Sequence, residues 1–204
     1  MLGLVLVGCG SGGGTGLPPQ AASSDTSTGA TSRQSPAEPA PTAREGRPAK
    51  STRVHFIPER LTLPGGAKAA VEPARTVGGE LQVPSNVNRV GWWDGSAYVG
   101  DPFGSTVVAG HVDSATEGIG FFARLLHIQI GEKVTLDGSG HRLTYRVTAV
   151  QEVVQGALAS HSRAFDQTGD HRLVLITCTG VYHPDRGGYD RNLVVIARPL
   201  GLAR

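Results

Sequence analysis

The sequence predicts a mainly β domain over residues 52–204, a closed or nearly closed barrel with a few short helices. Three observations predict it. Short β-rich runs recur along the whole segment. Pro and Gly punctuate them at close intervals. Only two stretches carry a helical pattern, and both are short. Many short strands joined by tight turns are the signature of a closed β architecture.

The elements follow in order. "RVHFIPERLTLPGG" and "KAAVEPARTVGGELQVPSNVNRVGWW" are β-rich pieces broken by Pro and Gly. A strand is predicted over Ser105–Ala109, running into Gly110-His111. "FFARLLHI", Phe121–Ile128, has a helical pattern. "GEKVTLDGSGHRLTYRVTAVQEVV" reads as a hairpin: Lys133–Leu136, a turn at Asp137-Gly138-Ser139-Gly140, then Arg142–Val150. "GALASHSRAF" is the second helical stretch. "HRLVLITC" and "RNLVVIARP" are the last strands, with a Gly-rich loop between them from Thr179 to Asp190. No internal repeat is present.

Composition narrows the function classes. Hydrophobic residues make up 39% of the 204 and aromatic residues 5%, so the core must be aliphatic. The formal net charge of +2 comes without any Lys/Arg run, which argues against nucleic acid as partner. The two cysteines, Cys9 and Cys178, form no CxxC and no zinc-like spacing with histidine. A disulfide between them would tether a flexible terminus to a strand end, and it is not adopted here.

Ahead of the domain, "MLGLVLVGCGSGGG" is an apolar segment ending in Leu6-Val7-Gly8-Cys9. This resembles a bacterial lipobox, whose cysteine is diacylated and becomes the mature N-terminus. Small residues before the cysteine would let the peptidase reach the backbone. There is no basic n-region, and the apolar run is far too short to span a bilayer. The expectation is a signal segment over residues 1–9, truncated or preceded by an upstream start, with Cys9 as lipidation site. Residues 10–51 are Gly, Ser, Thr, Pro and Ala, which cannot offset the entropy of ordering a backbone. They read as a disordered linker. An exported domain on a tether at the outer face of the cytoplasmic membrane is the expected localisation.

The chemistry centres on "LVLITCTG", Leu173–Gly180. Cysteine is among the most buried residue types, so Cys178 is either a structural thiol at a strand end or a nucleophile presented there. His111 follows a strand in "VVAGHVDS", and Arg191 opens one in "YDRNLVV". All three stand at strand edges, where side chains can converge over one end of a barrel. A cysteine with a histidine distant in sequence is the layout of a thiol nucleophile and its base. A nearby cation favours the reactive thiolate. A guanidinium, always charged and rich in donors, can hold the oxyanion of an acyl transfer.

These residues resemble the sortases, cysteine transpeptidases of Gram-positive bacteria. The resemblance rests on Gly110-His111-Val112-Asp113, on Leu175-Ile176-Thr177-Cys178, and on Arg191 in Asp190-Arg191-Asn192-Leu193-Val194-Val195. The Cys-to-Arg separation, 191 − 178 = 13, fits the family's spacing. "VGWWDGSAYVGD" and the lack of long insertions look most like the actinobacterial class F and class E enzymes, with class F preferred. The family motif commonly reads Thr-Leu-x-Thr-Cys, and Val174 stands where its first Thr would be. That change is expected to affect strand packing and not the reaction.

The resemblance implies an eight-stranded β-barrel. It implies cleavage of a Leu-Pro-x-Thr-Gly type sorting signal between Thr and Gly, through a thioacyl enzyme on Cys178. His111 would be the general acid and base, and Arg191 the oxyanion and substrate ligand. Asp113 and Thr177 would have supporting roles. Residues 151–169 would shape the sorting-signal pocket, and "TGVYHPDRGGY" would wall the cysteine, with Tyr182 and His183 as possible substrate contacts. The implied partners are proteins with C-terminal sorting signals, an amine of a peptidoglycan precursor or protein as acceptor, and the membrane through the anchor. No cofactor is implied. Some relatives use calcium, but no acidic cluster argues for a metal here. Two rivals remain. An L,D-transpeptidase would carry a Ser-His-Gly-Cys pattern, which is absent. The other is a membrane-anchored binding module whose cysteine is buried.

Overall fold

The computed structural model describes residues 53–161, 163–185 and 188–204. The signal segment, Cys9 and the linker lie outside the described residues. Eight strands form a closed barrel: β1 (Arg60–Thr62), β2 (Lys68–Ala74), β3 (Val90–Trp93), β4 (Ser105–Ala109), β5 (Lys133–Gly138), β6 (His141–Val154), β7 (Arg172–His183) and β8 (Gly188–Pro199). Around the barrel they run β1-β2-β3-β4-β7-β8-β6-β5, and β5 closes on β1 through Arg60↔Asp137 and Leu61↔Leu136. Pairing is antiparallel except for two parallel joints, β2 with β3 and β4 with β7. Full closure leaves the barrel no free edge.

Period-two alternation explains the wall. On β7, Leu173 and Leu175 point into the barrel and pack with Tyr145, Val195 and Phe122. Val174 and Ile176 point outward into a second apolar cluster with Val107, Val194 and Ala164. Both faces of β7 are therefore covered, which accounts for the unbroken apolar run from Leu173 to Ile176. Val174 is fully buried in the outer cluster.

The hairpin expected after Gly131 is present. β5 continues to Gly138, and the turn is reduced to Ser139 and Gly140, both at positive φ (51° and 77°). That pair of left-handed residues is a two-residue hairpin turn whose twist matches the flanking strands. Phe121–His127 forms a 3-10 helix instead of an α-helix. Its first N–H groups are tied down by the Val87 and His111 carbonyls, and Phe121, Phe122 and Leu125 are drawn into the core. The second helical stretch is shorter than expected, a 3-10 turn at Gln155–Ala157 and one α-turn, α1 (Leu158–His161). Leu158 packs on the outer cluster.

Two expectations about loops change. Residues 151–154 belong to β6, so the β6–β7 connection begins only at Gln155. The segment Thr179–Asp190 is mostly strand, not loop: β7 extends to His183 and β8 begins at Gly188. Gly180 allows this extension. Its φ of +87° and a register shift between Thr179 and Tyr182 mark a bulge, and a Cβ there would meet Asp190 Oδ1 at 2.2 Å. The same Oδ1 accepts the Val181 N–H at 2.8 Å.

The β6–β7 connection is held by two charged residues. Arg172 is 4% exposed and donates to the carbonyls of Asp166 (2.8 Å), Thr168 (3.2 Å) and Asp170 (3.2 Å). Asp166 Oδ1 accepts the Thr168 hydroxyl and N–H, and Oδ2 accepts from Arg163. The Thr168 hydroxyl and N–H, then Arg163, hold the Asp166 carboxyl well below the usual carboxylate range. Among the described residues no helix is long and apolar enough to cross a membrane.

Candidate active site

The parallel joint between β4 and β7 builds the site. Ala109 pairs with Ile176, and the Gly110 N–H donates to the Ile176 carbonyl at 3.1 Å. Beyond that pair come Gly110 and Thr177, then His111 and Cys178. A side-chain bond fixes the continuation: Thr177 Oγ1 donates to the Gly110 carbonyl at 2.9 Å, and Thr177 is 2% exposed. Two residues far apart in sequence thus leave the same end of neighbouring strands, whose axes lie about 4.8 Å apart.

The backbone around His111 is clamped. A Cβ on Gly110 would strike Phe122 at 2.8 Å, so the residue before the histidine has to be small. The Phe122 N–H donates to the His111 carbonyl at 3.3 Å, and the Gly120 N–H to the Val112 carbonyl at 2.8 Å. A Cβ on Gly120 would lie 2.3 Å from the His111 carbonyl oxygen. Close backbone approach, not a special φ, is what Gly120 supplies. His111 itself is half-buried.

Cys178 is half-buried and free. Burial pushes its thiol above the ordinary value, and the negative charge of Asp113 adds to the shift. Opposite Cys178 on β8 stands Asn192, 8% exposed, on the same pleat face. Arg191 is one position along, opposite Thr179 on one side and Val154 on the other. It lies on the alternate pleat from the Cys178–Asn192 pair, and its guanidinium donates to Glu152 Oε2 at 3.3 Å. Both partners of that ion pair are about half exposed, 48% and 49%. The ladder brings Arg191 next to the cysteine but commits the guanidinium to Glu152.

Asp113 and the β7–β8 hairpin meet. Tyr189 donates its hydroxyl to Asp113 Oδ2 at 2.5 Å and packs edge-on against Tyr182, with ring centroids 5.3 Å apart. Tyr182 is exposed and His183 half-buried. A cavity of about 240 Å³ opens between the end of β6 and the hairpin, lined by Gln155, His183, Asp190 and Arg191 among others. The sequence places Tyr189 in the stretch expected to wall the cysteine but assigns neither it nor Asn192 a role of its own. For Asn192 the signal was available in part, since the last two strands pair antiparallel and the partner of Cys178 follows once the turn is located. For Tyr189 there was none.

A closed eight-stranded barrel presenting a histidine and a cysteine from parallel neighbours defines a class of barrel-borne thiol sites. The chain belongs to the sortase family: the model of the sortase domain matches residues 66–200. Sortases are cysteine transpeptidases, and this chain carries that domain. Among solved structures it is similar to sortase A from Corynebacterium diphtheriae (lid mutant). There the identity is 21%, each chain is covered to 75%, and the TM-score is 0.55. It is also similar to sortase C-1 from Actinomyces oris, with 21% identity, 70% of this chain and 73% of that one covered, and a TM-score of 0.52. SrtA sortase from Actinomyces oris matches at 18% identity, covering 73% of this chain and 82% of that one, with a TM-score of 0.54. At these identities the likeness shows the fold. No curated protein matches the chain.

Proposed function

We propose that this domain cleaves a Leu-Pro-x-Thr-Gly type sorting signal between Thr and Gly and passes the acyl group to an amine. The observation that supports the reading is the β4–β7 joint: His111 and Cys178 each follow two residues after its last pair, Ala109↔Ile176. Class F, or class E, is the sortase class preferred, on the sequence features given above.

The steps balance as follows. His111 takes the thiol proton as Cys178 Sγ attacks the Thr carbonyl carbon. Burial and the Asp113 charge both work against a free thiolate, so this transfer accompanies attack. Negative charge develops on the carbonyl oxygen. Arg191 reaches it by leaving Glu152, an exchange that costs little because an exposed ion pair is worth about 0–1 kcal/mol. The Asn192 amide, on the cysteine's own pleat, is a second donor. The C–N bond breaks, His111 gives its proton to the departing glycine amine, and a thioester remains on Cys178. An incoming amine then loses its proton to His111 and attacks the thioester, and the departing Cys178 thiolate takes that proton back from His111. Water in place of the amine gives hydrolysis.

The acceptor is an amine of a peptidoglycan precursor or of another protein. Asp113 and Thr177 support the site, and Tyr182 and His183 form the wall that meets substrate. An N-terminal anchor, lipidated at Cys9, places the enzyme at the outer face of the cytoplasmic membrane with its substrates.

The test is a pair of quenched fluorescent peptides, Leu-Pro-x-Thr-Gly and Leu-Ala-x-Thr-Gly, with an amine acceptor. Cleavage and transfer by the wild type, absent in Cys178→Ala and His111→Ala, support the reading. The better peptide narrows the class. A folded domain that cleaves neither peptide and leaves Cys178 unreactive to a thiol probe would instead be a binding module with a structural cysteine.

A further inference from the structure

At the Cys178 end of the barrel, the segment after His111 and the β7–β8 hairpin are joined by one side-chain bond. Tyr189, the second residue of β8, donates to Asp113 Oδ2 at 2.5 Å. Its ring is fixed separately. Tyr182 is its register partner across the hairpin and packs on it edge-on at 68°. Packing therefore sets where the hydroxyl points, and the hydroxyl sets where the carboxylate sits. A bond this short to an ionised acceptor is of the strong, charge-assisted kind. It is also the main reason the Tyr189 phenol is pushed up to about 12.

Asp113 is exposed. An unpinned carboxylate there would turn towards water, and its charge would be screened. Pinned, it stays at the Cys178 end: the strand of Cys178 lies between the strand that leads to Asp113 and the strand of Tyr189, so the bond spans that strand's end, and the charge adds to the effect of burial on the thiol. We propose that Tyr189 is a positioning residue of the thiol site: by holding the Asp113 carboxylate within range of Cys178, it sets how readily the thiol ionises. A neutral thiol resists oxidation and stray alkylation, so the latch keeps the resting site inert.

Other charged groups surround the same barrel end. His111 lies on the segment of Asp113, and the Glu117 carboxylate there accepts the Val87 N–H at 3.1 Å. β7 contributes Tyr182 and His183, and Asp185 stands in the turn that follows. β8 contributes Asp190, bonded to the Val181 N–H, and Arg191, bonded to Glu152 of β6. Of these carboxylates, Asp113 is the one tied by Tyr189 across the end of the cysteine's strand.

The experiment uses the full chain, with Tyr189→Phe, Asp113→Asn and the double variant. The rate of Cys178 alkylation is followed by mass spectrometry of the Cys178 peptide, from about pH 6 to about pH 10. Phe keeps the ring and its packing, and a melting curve checks that each variant is folded. Both single variants are expected to move the profile to lower pH. At neutral pH alkylation should be about threefold faster, the order expected when one screened unit charge is removed from the thiol's surroundings. In the Asp113→Asn background, Tyr189→Phe should add nothing, because it acts through that carboxylate. An unchanged or upward-shifted profile in folded Tyr189→Phe overturns the proposal. So does an equal effect of Tyr189→Phe with and without Asp113. A second arm rests on the proposed transpeptidation: the pH profile of peptide cleavage should shift with the alkylation profile. Absence of cleavage alongside the expected alkylation result would sink the transpeptidase reading and leave this one standing.

Discussion

Thr177→Val isolates the bond that sets the β4–β7 register beyond the last ladder pair. Valine fills the space of threonine, so the change removes a hydroxyl and little else. The hydroxyl is 2.9 Å from the Gly110 carbonyl, in a residue only 2% exposed. A buried acceptor that loses its donor costs about 1–3 kcal/mol. For a domain of this size each kcal/mol moves Tm by about 2–4 °C, so the melting point should fall by about 2–12 °C. Urea denaturation followed by tryptophan fluorescence gives the same quantity independently, as a shift in midpoint at constant m-value. Activity should fall with it, because His111 and Cys178 are the next residues along both strands. A loss below about 0.5 kcal/mol, the range of an inconsequential surface change, would refute the reasoning. It would mean that the hydroxyl is not what holds the two strand ends in register.

Further outcomes follow from the same structure. Gly120→Ala puts a methyl 2.3 Å from the His111 carbonyl; kcat/KM should drop at least about tenfold with a stability loss of about 1–3 kcal/mol, and wild-type kinetics would contradict the clamp. Arg172→Met strips donors from three carbonyls of the β6–β7 connection and should destabilise the domain by about 2–4 kcal/mol, read by urea denaturation. Burial holds the His171 imidazole below its ordinary value of 6.5, and its Nε2 lies 2.9 Å from the Tyr145 hydroxyl. The unfolded chain then binds the extra proton first. His171's contribution to stability is full above pH 6.5 and is lost as pH falls below it. Stability measured between about pH 6.5 and about pH 5 should decline less steeply in His171→Gln, and identical slopes would count against a buried neutral imidazole.

How much of this was legible in the sequence depends on which interactions are local. The strand Leu173–Ile176 and the hairpin turn at Ser139-Gly140 were readable because their signals sit within a few residues. The β7–β8 hairpin was misread as a loop because Gly180, Pro184 and Gly188 look like punctuation. Gly180 in fact absorbs a bulge, and strand pairing resumes at Tyr182↔Tyr189. The Phe121–His127 segment has helical spacing, yet the carbonyls it caps and the core it fills select a 3-10 helix. His111 and Cys178 could be named from strand-edge position and resemblance. The parallel joint between β4 and β7 that leads to both of them could not, because it leaves no trace in local pattern. The Glu152 partner of Arg191 and the Tyr189 partner of Asp113 are long-range in the same sense.

The central claim is that Cys178 carries the acyl group. Its most direct test is intact-mass measurement of the domain mixed with a Leu-Pro-x-Thr-Gly peptide and no amine acceptor, quenched in acid within the first turnover. The mass should increase by the peptide's acyl fragment ending in Thr, located on the Cys178 peptide. The increase should be absent in Cys178→Ala and discharged when an amine is added. Peptide cleavage without any adduct on Cys178, or cleavage that persists in Cys178→Ala, would contradict it.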